Sequence, residues 1–481
     1  MGTSVSYLEM LLVLLFMESL MLGYTRADAG ASCIKSEKDA LLNFKKGLID
    51  PSNRLMSWVG EDCCSWKGVF CSNRTGHVIK LDLRNTVLEA DTDFSLGGEI
   101  NRSLLDLTNL YYLDLSMNEF WDTKIPDFLG SLKMLKYLNL SSAAFVGNIP
   151  HHLGNLSTLE YLDLSHNGLL VDSLHFVTTL SSLKHLDLSW LDLAKAGNWL
   201  QSINMLPSLL ELHLSSCELD FIPQFLKVNF TSLAVLDFNQ NYFGSTFPRW
   251  IFNISNNIRH LALSDNGFQG SLPREMGNCN LLEFLDLSCN ALEGKIPETL
   301  SNLCNLHDFN LELNKFSGNI YGPFDNASGC IARSLKNLNL QYNSFRSTLP
   351  DNWEKFKYLE YLDLSFNSFW GPFPASIGRL SRQLPRLAKL RTSSNDLPGS
   401  GSRSIHLSSN KFEGPLTYIP DVAALDISNN FLSGHIPRIT GNMMSQMKTF
   451  ILSNNHLNGS IPASDFIAIN KALLRVRRAA G

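Results

Sequence analysis

The chain has 481 residues, 44% of them hydrophobic and 18% charged, with a net charge of -5. That length allows several compact domains or one elongated array. The near-neutral balance excludes the electrostatic footprint of a nucleic-acid binder or of a polybasic membrane-surface protein.

Residues 1–29 are expected to be a signal peptide. The apolar run "YLEMLLVLLFMESLMLGY" precedes Ala27-Asp28-Ala29, a small-x-small cleavage pattern. Glu9 and Glu18 interrupt the run, and its uninterrupted part is short for a membrane anchor. No later stretch approaches 18 apolar residues, so the sequence predicts no membrane span. Nine cysteines in a secreted chain imply disulfides, with at least one thiol left over.

Residues 30–76 read as a cap. "SEKDALLNFKKGL" (36–48) is an amphipathic helix, with Ser36 and Asp39 matching a capping box and Leu41, Phe44 and Leu48 on the apolar face. Trp58 and Trp66 supply bulk to close a core end. Cys33, Cys63, Cys64 and Cys71 allow three pairings. Adjacent cysteines rarely pair with each other, so each can staple a different element; of the two pairings that remain, Cys33 with Cys63 and Cys64 with Cys71 is favoured. The first bond would tie the helix to the cap, and the second would close the loop into the first strand.

From residue 77 the chain repeats. "YLDLSMNEF" (112–120), "YLDLSHNGL" (161–169), "FLDLSCNAL" (284–292), "YLDLSFNSF" (361–369) and "ALDISNNFL" (424–432) share the form L-x-L-x-x-N. Most successive steps are 24 or 25 residues, the leucine-rich-repeat period. In L-x-L both leucines point to one face of a short strand. One coil cannot bury them alone, so stacked coils share a continuous core. The Asn sits where the chain turns from the strand, and its amide can satisfy backbone groups there and in a neighbouring coil. Segments such as "GNIP" (147–150) and "GKIP" (294–297) follow many strands, with Gly for a sharp turn and Pro for the returning segment. The array spans 77–378 and 405–462. Between them, 379–404 is a degraded repeat or a deletion, and 463–481 is a non-repeat basic end carrying Lys471, Arg475, Arg477 and Arg478.

"CIKSEKDALLNFKKGLIDPSNRLMSWVGEDCCSWKGVFCSNRTGHVIKLDLRN" (33–85) resembles the N-terminal cap of plant leucine-rich-repeat receptor-like proteins, in the subgroup that includes receptors for ethylene-inducing fungal xylanase and the leaf-mould resistance proteins. "SIHLSSNKFEGPLTYIPDVAALDISNNFLSGHIP" (404–437) is similar to the same subgroup. The resemblance implies an α/β solenoid: a horseshoe of plant extracellular type with a disulfide-stapled helical cap. It implies a cell-surface receptor for a microbial protein or plant peptide, acting in defence or development. Such a receptor lacks a kinase and signals through a partner receptor kinase and a co-receptor kinase. The alternative readings are a secreted inhibitor of a cell-wall-degrading enzyme, similar to polygalacturonase-inhibiting proteins, and a truncated decoy. The expected location is the secretory pathway: the plasma membrane for a longer product with a span, the apoplast if this chain is complete.

Ligand binding is expected on the concave face, at the exposed positions of each strand. Tyr112, Tyr137, Tyr161, His185, His260, Phe284 and Tyr361 form an aromatic column there. Aromatic side chains bury area at modest entropic cost and favour protein binding. A solvated column of Asp82, Asp114, Asp163, Asp187, Asp237, Asp286, Asp363 and Asp426 runs beside it. No phosphate loop, kinase catalytic loop or metal motif is present in the sequence, so neither an enzyme nor a cofactor is expected. Glycosylation acceptors lie at Asn73, Asn101, Asn139, Asn155, Asn229, Asn253, Asn326 and Asn458. Asn139 would project from the concave face. Cys279 and Cys304 hold near-equivalent places on adjacent coils, where a disulfide or two buried thiols would fit equally. Cys217 replaces a motif Asn and is expected to pack as a small buried group.

Overall fold

The computed structural model describes residues 31–86, 94–224, 227–254, 256–325, 329–377, 380, 403–420, 422–437, 447–459 and 473–475. The expected signal peptide, Asn326 and nearly all of 379–404 lie outside the described residues. The chain divides into two units, one ending at Phe243 and one beginning at Gly244.

The first unit opens with helix α1 (Lys35–Gly47), whose Leu41 and Phe44 are fully buried. The capping box does not form. The helix starts one residue earlier than expected, with Ile34 at the cap and no side-chain cap bond. Glu37 instead turns its carboxylate to the first strand, accepting from the Val78 amide at 2.6 Å and facing His77 Nδ1 at 2.8 Å. Trp58 and Trp66 stack with centroids 5.5 Å apart, and each indole donates to a backbone carbonyl. Disulfides join Cys33 to Cys63 and Cys64 to Cys71, as favoured from the sequence. Asp62 braces both, its Oδ1 accepting from the amides of Cys33 and Cys64.

The cap hairpin, Val69–Cys71 against Val78–Asp82, is antiparallel, and every later pairing in the unit's ladder is parallel. Tyr112–Asp114, Tyr137–Asn139, Tyr161–Asp163, His185–Asp187, Glu211–His213 and Val235–Asp237 follow in register, with Leu81, Leu113, Leu138, Leu162, Leu186, Leu212 and Leu236 aligned. All these leucines are fully buried.

The second unit repeats the ladder from His260–Ala262 to Thr449–Ile451. Tyr361–Asp363 pairs directly with Ser404–His406, so the 43-residue step from Leu362 to Ile405 leaves the register intact. Leu473–Arg475, in the segment expected to fall outside the array, adds a strand beside Thr449–Ile451. A second strip of short strands follows the motif asparagines, through Gln269–Ser271, Ala291–Gly294, Lys315–Gly318 and Ser344–Phe345. Gly270, Gly294 and Gly318 sit there at φ of 80° to 82°, a conformation a β-carbon disfavours.

The motif asparagines hold the coils together. Asn241 Nδ2 lies within bonding distance of the carbonyls of Phe238 and Asn239 in its own turn and of Leu214 in the preceding coil. Its Oδ1 accepts from the amides of Cys217 and Leu219. Asn167, Asn290, Asn314, Asn367, Asn410 and Asn430 repeat the pattern. Cys217 is fully buried, its Sγ 3.3 Å from the Leu188 carbonyl, as expected of a small group at an Asn position.

Candidate ligand-binding face

The strand-start side chains come together as a stack. In the first unit the rings of Tyr112, Tyr137, Tyr161 and His185 follow one another at centroid distances of 4.0, 4.2 and 4.1 Å. Lys80 Nζ lies 4.1 Å from the Tyr112 ring centre at the stack's start. In the second unit His260 stacks on Phe284 at 4.1 Å, and Tyr361 lies 5.7 Å from His406.

This stacking corrects the expectation of exposure. Tyr112, Tyr137, His185 and Tyr361 are only 2%, 3%, 9% and 4% exposed, while Tyr161, His260 and Phe284 are half-buried. The spacing of adjacent coils is close to the stacking distance of aromatic rings, so each ring covers its neighbour.

The aspartates are likewise structural rather than solvated. Asp114, Asp163, Asp286, Asp363 and Asp426 each accept from the amide and hydroxyl of the serine two residues on, at 2.6–3.0 Å. Asn139 takes the same role toward Ser141, so its side chain is buried and does not project. Burial raises the Asp114 carboxyl above its ordinary range. Burial and the neighbouring Asp187 push Asp163 up to about 6.

A different column faces solvent. The residue just before each motif asparagine adopts a left-handed conformation, at φ of 51° to 53° for Leu313, Tyr342 and Phe366. Non-glycine residues rarely stay there without support. At Tyr342 the support is visible: its amide donates to the Ser365 carbonyl, while Asn343 binds the carbonyls of Leu340 and Gln341. The conformation turns the side chain outward. Leu313, Tyr342 and Phe366 are 44%, 41% and 41% exposed, and the last two rings stack at 4.1 Å. Beside them Glu312 accepts from Asn339 and Gln341. In the first unit Met117, His166 and Trp190 hold the same repeat position, and His166 stacks on Trp190. Sequence reasoning passed over this column because its residue types share no pattern. The usable signal was the position itself, fixed by the Asn that follows.

The remaining expected sites divide by exposure. Asn73, Asn155, Asn229, Asn253 and Asn458 are exposed. Asn101 is half-buried and donates to the Asn43 carbonyl. The disulfide suggested between Cys279 and Cys304 does not form. Cys304 pairs with Cys330, because an excursion through the short helix Tyr321–Asp325 returns Cys330 to the preceding coil, where its amide donates to Ser301. Cys279 is a buried thiol, its pKa pushed up to about 12 by burial, and Cys289 is an exposed one.

Residues 34–72 match the family Leucine rich repeat N-terminal domain, and six segments, at 109–132, 158–180, 257–279, 281–303, 334–356 and 358–380, match Leucine Rich Repeat. The chain is similar to Receptor-like protein EIX2 of Solanum lycopersicum, 50% identical over 53% of this chain and 26% of that protein. It spans about a quarter of the length of the curated relatives it matches first. A crystal structure of a TDR receptor is 26% identical at a TM-score of 0.63, over 85% of this chain and 69% of that one. The ectodomain of the Arabidopsis receptor kinase HAESA, in complex with an IDA peptide hormone ligand, is 25% identical at a TM-score of 0.53, over 92% of each chain. These likenesses agree with the ladder of stacked coils: the matched segments are leucine-rich repeats, and the relatives are named as receptor-like proteins. Among the described residues no helix is long and apolar enough to cross a membrane.

Proposed function

We propose, from the premise that this chain is a leucine-rich-repeat protein resembling the plant receptor-like proteins, that it is the ligand-recognising part of such a receptor. Its ligand is a microbial protein or plant peptide, met in defence or development. The receptor signals through a partner receptor kinase and a co-receptor kinase.

One observation carries the reading: Leu313, Tyr342 and Phe366 present apolar side chains to solvent from three successive coils. Exposed apolar side chains in a contiguous row on a rigid scaffold are the usual mark of a protein-binding surface. Half-buried His260 and Phe284 add ring edges for contact. In the first unit the stacked rings serve as a rigid floor rather than as contacts. The peptide held by the HAESA ectodomain supports a peptide or an extended protein segment as the ligand.

The test is to immobilise the purified chain and titrate a panel of microbial secreted proteins, a fungal xylanase included, and synthetic plant peptides. Saturable binding by at least one is expected, weakened about tenfold or more by Tyr342→Ala or Phe366→Ala. Binding that ignores both substitutions, or no binding across the panel, overturns the reading. Inhibition of a pectinase at stoichiometric ratio would move the assignment to a secreted inhibitor.

A further inference from the structure

We propose that the strand face of the first unit holds one divalent transition-metal ion, zinc by its chemistry, with His185, Glu211 and His213 as protein ligands. The residues come from adjacent strands, His185–Asp187 and Glu211–His213, paired so that His185 faces Glu211 and Asp187 faces His213. Alternation along each strand puts all four side chains on one face, opposite Leu186 and Leu212. The ligand atoms of His185, Glu211 and His213 lie within 4.8 Å of one another. A small inward adjustment closes such a set around an ion with ligand bonds near 2.0–2.2 Å.

Burial gives the second argument. The three residues are 9%, 5% and 5% exposed. His185 Nδ1 faces Glu211 Oε2 at 2.7 Å, while its Nε2 is buried with no hydrogen-bond partner. A buried imidazole nitrogen without a partner is costly, and a metal bond would satisfy it.

Charge gives the third. Asp163 faces Asp187 across one strand pair, and Asp237 faces His213 across another, so this face gathers Asp163, Asp187, Glu211 and Asp237 around two imidazoles. Even with both imidazoles protonated, four carboxylates leave two negative charges in a buried cluster. A divalent ion cancels them.

The donor set selects the ion. Two imidazole nitrogens and a carboxylate suit zinc and its first-row neighbours, whereas calcium and magnesium require oxygen donors. Asp237 Oδ2 lies 3.9 Å from His213 Nδ1, the place of an outer carboxylate that orients a ligating histidine. The sequence hid this site because its ligands are spread over two coils, at positions 185, 211 and 213, with no local spacing to recognise.

The test uses the purified chain, stripped with chelator and titrated with zinc by calorimetry and thermal melting. One zinc per chain and a rise in melting temperature are expected, with no rise from calcium. His213→Gln should remove both zinc effects. If that variant fails to fold, Asp237→Asn should keep the fold and weaken zinc about tenfold or more. His260→Gln, in the other unit, should leave zinc binding unchanged. Absence of saturable zinc binding overturns the proposal. So does zinc binding that survives undiminished in folded His213→Gln or Asp237→Asn, since the ion would then sit elsewhere, for example on the thiols. Loss of ligand binding to Tyr342 and Phe366 would not bear on this result.

Discussion

From Tyr112 to His185 the first unit closes its strand face on itself, ring against ring and carboxylate against serine. At the position before the motif asparagine, Leu313, Tyr342 and Phe366 of the second unit, like Met117 and Trp190 of the first, leave apolar side chains in water. Both are built on the same L-x-L-x-x-N turn. The difference lies in which position carries the aromatic residue. At the strand start an aromatic meets its copy in the next coil about one ring thickness away and is consumed by packing. One residue before the asparagine, the left-handed backbone swings it outward and leaves it available. Side-chain type therefore says less about recognition here than the place of that side chain in the repeat.

The comparison assumes that one frame supports both units, and replacing a motif asparagine tests that assumption hardest. Asn241→Leu in the first unit and Asn410→Leu in the second each strand several buried backbone groups at a cost of 1–3 kcal/mol apiece, so a loss of about 5 kcal/mol is expected in urea denaturation. A markedly cheaper loss in either unit would mean that its coils are held by something else. Next comes the contrast itself. Tyr137→Ala should cost about 3 kcal/mol by emptying the middle of the stack, while Tyr342→Ala should stay within about 0.5 kcal/mol. Equal costs would erase the distinction between consumed and available rings.

A smaller effect is expected from opening the excursion in the second unit. Replacing Cys304 and Cys330 together by serine frees a loop with a separation of 26 residues and should cost about 2–3 kcal/mol, read as a lower denaturation midpoint. The smallest effect concerns pH, in chelator-treated buffer. The Asp163 carboxyl is raised to about 6 in the fold against about 3.9 when unfolded. A raised carboxyl contributes stability that is fully present below the unfolded value and lost as pH climbs through the folded one. Melting temperature should therefore fall less between pH 4.5 and 7 in Asp163→Asn than in the parent chain. An unchanged pH slope would show that Asp163 is charged and solvated after all.

Much of this fold was legible in the sequence, for identifiable reasons. The period of 24 or 25 residues and the L-x-L alternation set the ladder and its core. Two adjacent cysteines, Cys63 and Cys64, left two of the three cap pairings open, and the favoured one is the one observed. The Cys304–Cys330 bond was not legible, because Cys279 and Cys304 looked equivalent by repeat position. The lengthened step between Phe309 and Leu338 was the overlooked sign of an excursion. At the candidate site the sequence placed the aromatic residues at the strand starts, but burial of Tyr112 or Tyr137 depends on the ring in the next coil, and no single motif contains that information. Tyr342 and Phe366 were missed because φ is invisible in residue type unless the residue is glycine or proline.

Across the 43-residue step Leu362 still pairs with Ile405. The added length between those two strands leaves their pairing register unchanged. An insertion between strands can thus be silent in the register of the strand face.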